Sequence, residues 1–423
     1  MKKVIIALLA LALLAAAFAP ALATYDWEES APVSVMDGSI PVFLDEDEDN
    51  AAIDASIFED DAPAAAVGQL SIPAPSAILM EKETGRVLFE KNADEKLEPA
   101  SVTKIMTVLL IIEAIESGKI SLDDMVSTSA HAASHGGTQI YLEEGEQMSV
   151  RDMLKSVIVS SANDASVALA EHISGTEETF VARMNERALE LGMTNTHFTN
   201  CSGLLNDPTH VTTARDVAIM SRELIKHDLV KEFSTIWMDT VRGGKFGLSN
   251  TNKLIYYYKG STGLKTGFTR RSMYCLSATA ERDGVEYIAV VMHCDTSEQR
   301  FESAKALLNY AFANFVLCDV YPDTPLLPVR VVLGSSPYVQ PLVQGGSKIV
   351  VEKDKAGSVE KTVEMPNKVN APLKAGDRLG TLTVKSGGDV LGEYPIVAGD
   401  DIGRLSWGNL FVQFLKLMFI GGL

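Results

Sequence analysis

The chain has 423 residues and a net charge of −19, from 37 Lys and Arg against 56 Asp and Glu. That length accommodates two or three domains, each able to bury a core. The charge weighs against nucleic acid as a partner, because phosphate binding needs Lys/Arg patches.

The N-terminus reads as a secretory signal over residues 1–23: Lys2 and Lys3, an apolar stretch Val4 to Ala19, and the small-residue site Ala21-Leu22-Ala23. The mature chain is expected to begin near Thr24 and to work outside the cytoplasmic membrane. Residues 24–75 carry thirteen Asp or Glu and no Lys or Arg, leaving −6 for the rest of the chain. This stretch, with its run Asp45 to Asp49, is expected to be an acidic disordered linker, since it cannot bury enough surface to fold alone.

From residue 76 the pattern changes, and residues 76–318 read as one catalytic domain. Ala77 to Met80 and Arg86 to Phe89 predict two strands around the turn Glu83-Thr84-Gly85. Pro99-Ala100-Ser101-Val102-Thr103-Lys104 opens an apolar helix through Ile112. Helices are expected over Val150 to Val159, Ala165 to Ile173 (with Asp164 as N-cap) and Glu177 to Leu191. Gly263 to Phe268, Met273 to Ala280 and Glu286 to Met292 predict strands, the last two joined by an Asp283-Gly284 hairpin. A helix from Ser297 to Phe315 follows.

Residues 319–403 hold short Val-rich runs split by Gly and Pro, at 329–333, 348–352, 360–365 and 380–384. They predict a small all-β domain with no catalytic constellation. Residues 404–423 predict an amphipathic helix. Ser406, Asn409, Gln413 and Lys416 form one polar stripe, and Trp407, Leu410, Phe411, Phe414, Leu415 and Met418 cover the rest. Such a helix suits a membrane surface; six buried apolar side chains are worth on the order of 10 kcal/mol gross. Four scattered cysteines make neither a disulfide framework nor a C-x-x-C metal pair, although Cys275 and Cys294 flank the hairpin.

Ser101 and Lys104 are three residues apart, which places them one turn apart on one helix face. A serine in a first helical turn has free backbone N–H groups and the positive dipole end beside it. A lysine in apolar surroundings can lose its proton and act as a base. S-x-x-K alone recurs by chance about once or twice in a chain this long. Here it is followed in order by Ser161-Ala162-Asn163 and Lys265-Thr266-Gly267, the three-motif set of class A β-lactamases and penicillin-binding proteins.

The neighbourhoods of these motifs resemble the low-molecular-mass penicillin-binding proteins that are D-alanyl-D-alanine carboxypeptidases. The resemblance rests on Pro99 to Thr107, Asp152-Met153-Leu154, Ser160 to Ala165, Met184-Asn185, Leu191-Gly192-Met193 and Thr196 to Leu204. It implies an α/β (α+β) catalytic domain of the serine β-lactamase/penicillin-binding-protein kind, a small all-β C-terminal domain and a terminal helix that anchors to the outer face of the membrane. It implies further that Ser101 is the acylated nucleophile, Lys104 its base and Ser161 a proton relay. Asn163, Lys265, Thr266 and Gly267 would bind substrate, and the backbone N–H groups of Ser101 and Phe268 would form the oxyanion hole. The expected substrate is the D-Ala-D-Ala end of a peptidoglycan pentapeptide, with β-lactam antibiotics as inhibitors and no metal or cofactor. Ala162 stands where many relatives have Gly, and Phe268 where some have a polar residue.

Three other readings compete. A β-lactamase needs a Glu to activate the deacylating water, and Glu186 and Glu190 lie in the helix carrying the carboxypeptidase signature. A silent penicillin-binding scaffold is disfavoured by the intact Ser101, Lys104 and Lys265. A zinc peptidase would use His131 and His135, but no H-E-x-x-H is present, and both are expected to be ordinary loop histidines.

Overall fold

The computed structural model describes residues 55–58, 65–204 and 207–420. The signal segment and most of the acidic stretch lie outside the described residues.

Five antiparallel strands form the central sheet: β1 (Ser76–Glu81), β2 (Val87–Lys91), then β3 (Ser261–Thr269), β4 (Met273–Arg282) and β5 (Val285–Cys294), in the order β2-β1-β5-β4-β3. Asp283 and Gly284 both have positive φ, 53° and 76°, the geometry a two-residue hairpin loop requires. Successive side chains of a strand face opposite sides, and the sheet uses this to serve two cores. Ala77, Leu79, Leu276, Ala278, Ala289 and Val291 face one cluster; Ile78, Met80, Ile288, Val290 and Met292 face the other.

The helical side of the sheet is built on α1 (Lys104–Glu116), where Lys104 to Ile112 are all buried. An apolar run without a polar stripe belongs inside a domain. Around it stand α2 (Val150–Val159), α3 (Asn163–Ser174), α4 (Glu177–Glu190) and α5 (Ala214–Leu224). Three of these start at a side-chain cap: Ser149, Thr176 and Thr213 accept the N–H three residues on, from Asp152, Thr179 and Asp216. The exception is α3. Its N-cap is Ala162, and Asp164, expected to cap it, instead accepts N–H groups from Ile140 and Leu142 of the preceding loop. On the opposite face, α6 (Ser297–Asn314) supplies Phe301, Ala304, Leu307 and Leu308.

Residues 65–75 depart from the expected linker. Ile72 and Ala74 are buried, the Ala74 N–H donates to Ser303 Oγ at 3.3 Å, and Asn314 Nδ2 donates to the Ala65 carbonyl at 2.8 Å. The segment has too few charges of its own to stay solvated; its apolar residues lie on α6.

The second domain has no sharp start at 319. β6 (Phe315–Asp319) leads straight from α6 and pairs with β7 (Lys348–Glu352). Val350 belongs to the core beneath the central sheet, whereas Ile349 and Val351 belong to the β-domain core. A four-stranded sheet contains Pro341–Val343, β8 (Val359–Glu364), β9 (Arg378–Ser386) and β10 (Asp389–Ala398). The last of these was not expected from the sequence. The domain also runs past 403: the Leu405 N–H donates to the Leu333 carbonyl at 2.8 Å, and Arg404 Nε to the Ala371 carbonyl at 3.0 Å. Helix α7 (Trp407–Ile420) follows. Trp407, Phe411, Phe414 and Met418 are exposed. Among the described residues no helix is long and apolar enough to cross a membrane.

Candidate active site

Ser101 lies in a single 3-10 turn, Ala100–Thr103, that feeds directly into α1. Pro99 precedes it and has no N–H to satisfy. Ala100 is held at φ 48° and Ser161 at φ 66°. Non-glycine residues in this region store strain of about 1–3 kcal/mol each and gather at functional sites. Here one immediately precedes Ser101 and the other opens the second motif.

Lys104 is 0% exposed. Its Nζ lies 3.0 Å from Ser101 Oγ, 2.6 Å from Asn163 Oδ1 and 2.8 Å from the Ser202 carbonyl oxygen. The Asn163 amide orientation is fixed by its other end, because Nδ2 donates to the Gly136 carbonyl at 2.8 Å and a carbonyl can only accept. Of these groups the Asn163 and Ser202 oxygens are obligate acceptors, and the Ser101 hydroxyl can act either way. A neutral amine has two N–H donors and one lone pair. Such an amine can donate to Asn163 and Ser202 and accept from Ser101, whereas an ammonium can donate to all three.

The third motif approaches from β3, the edge strand of the sheet. A Cβ built on Gly267 would come within 2.9 Å of the Pro99 carbonyl oxygen and 3.1 Å of the Ser101 nitrogen. Gly267 is thus the point where the strand touches the nucleophile turn. Lys265 is buried, and its stem and that of Lys104 border one void of about 10 Å³ lined by Ile105, Val108, Ile158, Leu224, Val230 and Leu264. Thr266, expected at a substrate carboxylate, is fully buried, and its hydroxyl donates to Thr251 Oγ1 at 2.6 Å. Ser161 and Asn163 follow at the junction of α2 and α3, both buried. All three motifs converge on Ser101, and the edge strand leaves a row of backbone groups facing outward beside it.

Several residues that hold this site carry no motif. Asn200 Oδ1 accepts the N–H groups of Ser202 and Gly203, at 3.1 and 2.6 Å. That turn aims the Ser202 carbonyl at Lys104, while the Cys201 carbonyl accepts from Thr107 Oγ1 at 2.6 Å. Gly203, at φ 83°, packs against the Ala100 carbonyl, where a Cβ would collide. His210 Nδ1 accepts from the Thr199 N–H at 3.0 Å, so its proton is on Nε2 and donates to Thr103 Oγ1 at 2.8 Å. Burial holds this ring neutral, with its pKa brought down to about 4. Asp164, whose carboxyl is pushed up by burial, pins the loop that carries Gly136. The Thr196 to Leu204 stretch already carried a family likeness in the sequence, but nothing there assigned it to Lys104.

The two competing histidines also take a definite place. His131 is in a short helix, Ala130–Ala133, His135 is in the loop that follows it, and both face Glu177 at the start of α4. Glu190, weighed as a deacylating base, is bound to Arg187, which also grips Glu113. Glu113 is nine residues beyond Lys104 on α1, roughly 13 Å of helix rise away.

Comparison with known proteins agrees with this geometry. Residues 63–296 match the family model for D-alanyl-D-alanine carboxypeptidase, and residues 322–404 match that for the penicillin-binding protein 5 C-terminal domain. The D-alanyl-D-alanine carboxypeptidase DacF of Bacillus subtilis is 42% identical over 353 residues, covering 82% of this chain and 90% of DacF. The crystal structure of penicillin-binding protein 5 from Haemophilus influenzae superimposes with a TM-score of 0.74 at 32% identity, covering 80% of this chain and all of that one. Penicillin-binding protein D2 of Listeria monocytogenes, solved in its ampicillin-bound form, gives a TM-score of 0.53 at 33% identity over 58% of this chain and 99% of its own. With its catalytic domain, β domain and three converging motifs all accounted for, the chain belongs to the D-alanyl-D-alanine carboxypeptidase family of serine peptidases.

Proposed function

We propose that this chain removes the terminal D-alanine from peptidoglycan stem peptides through an ester on Ser101. Ser101 Oγ attacks the carbonyl carbon between the two D-alanines while its proton passes to Lys104 Nζ. Burial disfavours the charged lysine and so favours the base form. The negative oxygen that develops is met by the backbone N–H groups of Ser101 and Phe268, where one donor is worth about 2.7–4 kcal/mol. Collapse breaks the C–N bond, and the departing D-alanine amine recovers the proton by way of Ser161. Water then cleaves the ester and releases the shortened peptide. Lys265 attracts the terminal carboxylate, with Thr266 joining when it exchanges its bond to Thr251 for one to the ligand. The second N–H of the Asn163 amide aligns the substrate amide.

The observation that carries this reading is the fully buried Lys104 amine 3.0 Å from Ser101 Oγ, with obligate acceptors on two other sides. Fluorescent penicillin and an acyl-D-Ala-D-Ala peptide test it together. A long-lived label mapped to Ser101, with D-alanine release, is expected. Rapid penicillin turnover would mean a β-lactamase, and labelling without D-alanine release a silent scaffold.

We further propose that the chain is exported and that α7 lies in the outer surface of the cytoplasmic membrane. The exposed Trp407, Phe411, Phe414 and Met418 support this reading, as does the polar stripe through Ser406 and Asn409.

A further inference from the structure

About one helix away from the catalytic cluster, three metal-ligating side chains meet. His131 Nε2 is 2.9 Å from Glu177 Oε2, and His135 Nε2 is 3.9 Å from the same oxygen. All three ligand atoms lie within 4.8 Å of one another. Tetrahedral zinc, with bonds of about 2.0–2.2 Å to His nitrogen and carboxylate oxygen, needs these atoms roughly 3.3 Å apart. Side-chain rotations of about 1 Å would reach that spacing.

The surroundings fix the donors. His135 Nδ1 is 3.2 Å from the His131 carbonyl. A carbonyl only accepts, so Nδ1 carries a proton, and Nε2 is the ring atom turned toward the Glu177 carboxylate. A ring N–H tied to a backbone carbonyl is also the usual support of a ligating histidine. Glu177 is held from behind, because its Oε1 accepts the Cys201 N–H at 3.0 Å. The half-exposed His131 leaves a fourth position open to water.

We propose that His131, His135 and Glu177 form a binding site for a divalent transition-metal ion of the zinc class, with water as fourth ligand. The site is independent of which reaction Ser101 performs. An ion there ties the segment ending at His135 to the start of α4. The next residue, Gly136, holds Asn163 Nδ2, and Thr138 accepts the Asn163 N–H at 2.8 Å. The metal site thus sits on the loop that orients the partner of Lys104.

The test uses the full chain freed of metal by a chelator, titrated with Co2+ and followed by visible absorption, then with Zn2+ by calorimetry. One equivalent of Co2+ with the strong absorption of a tetrahedral site is expected. His131→Ala and His135→Ala should each weaken binding by more than the 10–100-fold typical of losing a supporting residue. Glu177→Gln, which keeps an acceptor for the Cys201 N–H, should do the same with an unchanged metal-free melting temperature. Uptake that is equal in the native chain and both histidine variants would place the ion elsewhere, for instance on the acidic stretch, and would overturn the proposal. So would the absence of any tetrahedral Co2+ spectrum at micromolar metal.

Discussion

The catalytic domain and the β domain are stabilised by different materials. Around the cleft, Lys104, Thr107, Asn163, Asp164, Asn200, Ser202, His210, Lys265 and Thr266 are all buried, whereas among the described residues of 319–403 the buried polar set is Ser386 alone. Burying polar groups costs free energy unless each finds a partner. The catalytic domain accepts that cost where chemistry needs fixed donors and acceptors. The β domain, with an apolar centre of Val, Leu and Ile, has no such need. The contrast separates a part built around fixed polar groups from a part built around an apolar core.

Substitutions on the two sides should therefore fail in different ways. The largest effect is expected for Lys104→Met, which keeps the apolar stem and removes the base. Acylation by labelled penicillin should fall about 10²–10⁴-fold, measured by stopped-flow or gel fluorescence. Leu382→Ala, at a fully buried β-domain position, should cost about 2–5 kcal/mol of stability in urea. Its acylation rate per folded molecule should not change; a drop of tenfold would show the supporting domain shaping the cleft.

His210 gives the pH test. Its folded pKa is brought down from 6.5 to about 4, so below pH 6.5 the unfolded chain binds a proton that the folded chain refuses. Stability should fall as pH drops from 6.5 toward 4, by about 3 kcal/mol from this group. His210→Gln should flatten that part of the variant's own curve, so the native-minus-variant difference should carry the slope. Gly267→Ala forces β3 off the nucleophile turn, and a misplacement of about 1 Å should cost roughly 10²-fold in acylation. Removing residues 406–423, past the pinned Leu405, should leave acylation of a soluble penicillin unchanged. The truncated protein should no longer sediment with anionic vesicles; undiminished sedimentation would refute surface anchoring by α7.

Much of the architecture was legible beforehand for periodic reasons. The strands at 76–81, 273–282 and 285–294 and the helices at 150–159, 177–190 and 297–314 follow from alternation, helical spacing and an Asp-Gly turn. The motifs stood out because S-x-x-K, S-x-N and K-T-G keep a fixed spacing within short segments. What escaped were long-range bonds from side chain to backbone. Nothing in the sequence around Asn200 shows that its turn will aim the Ser202 carbonyl at Lys104. The close approach of Gly267 to a segment more than 160 residues earlier likewise has no local signature. Asp164 misled because a carboxylate at a helix start ordinarily caps it, and here the loop at 140–142 competed and won. The histidines at 131 and 135 looked ordinary because their carboxylate partner comes from a separate helix.

The ribbon of β6 and β7 makes the two domains interdependent. With Val350 in one core, its neighbours Ile349 and Val351 in the other, and the Val350 carbonyl held by Arg86 at 2.6 Å, neither half can melt while leaving the other whole. The joint therefore couples the two domains through one shared ribbon, so a strain that shifts the β domain is felt at the sheet that carries the third motif.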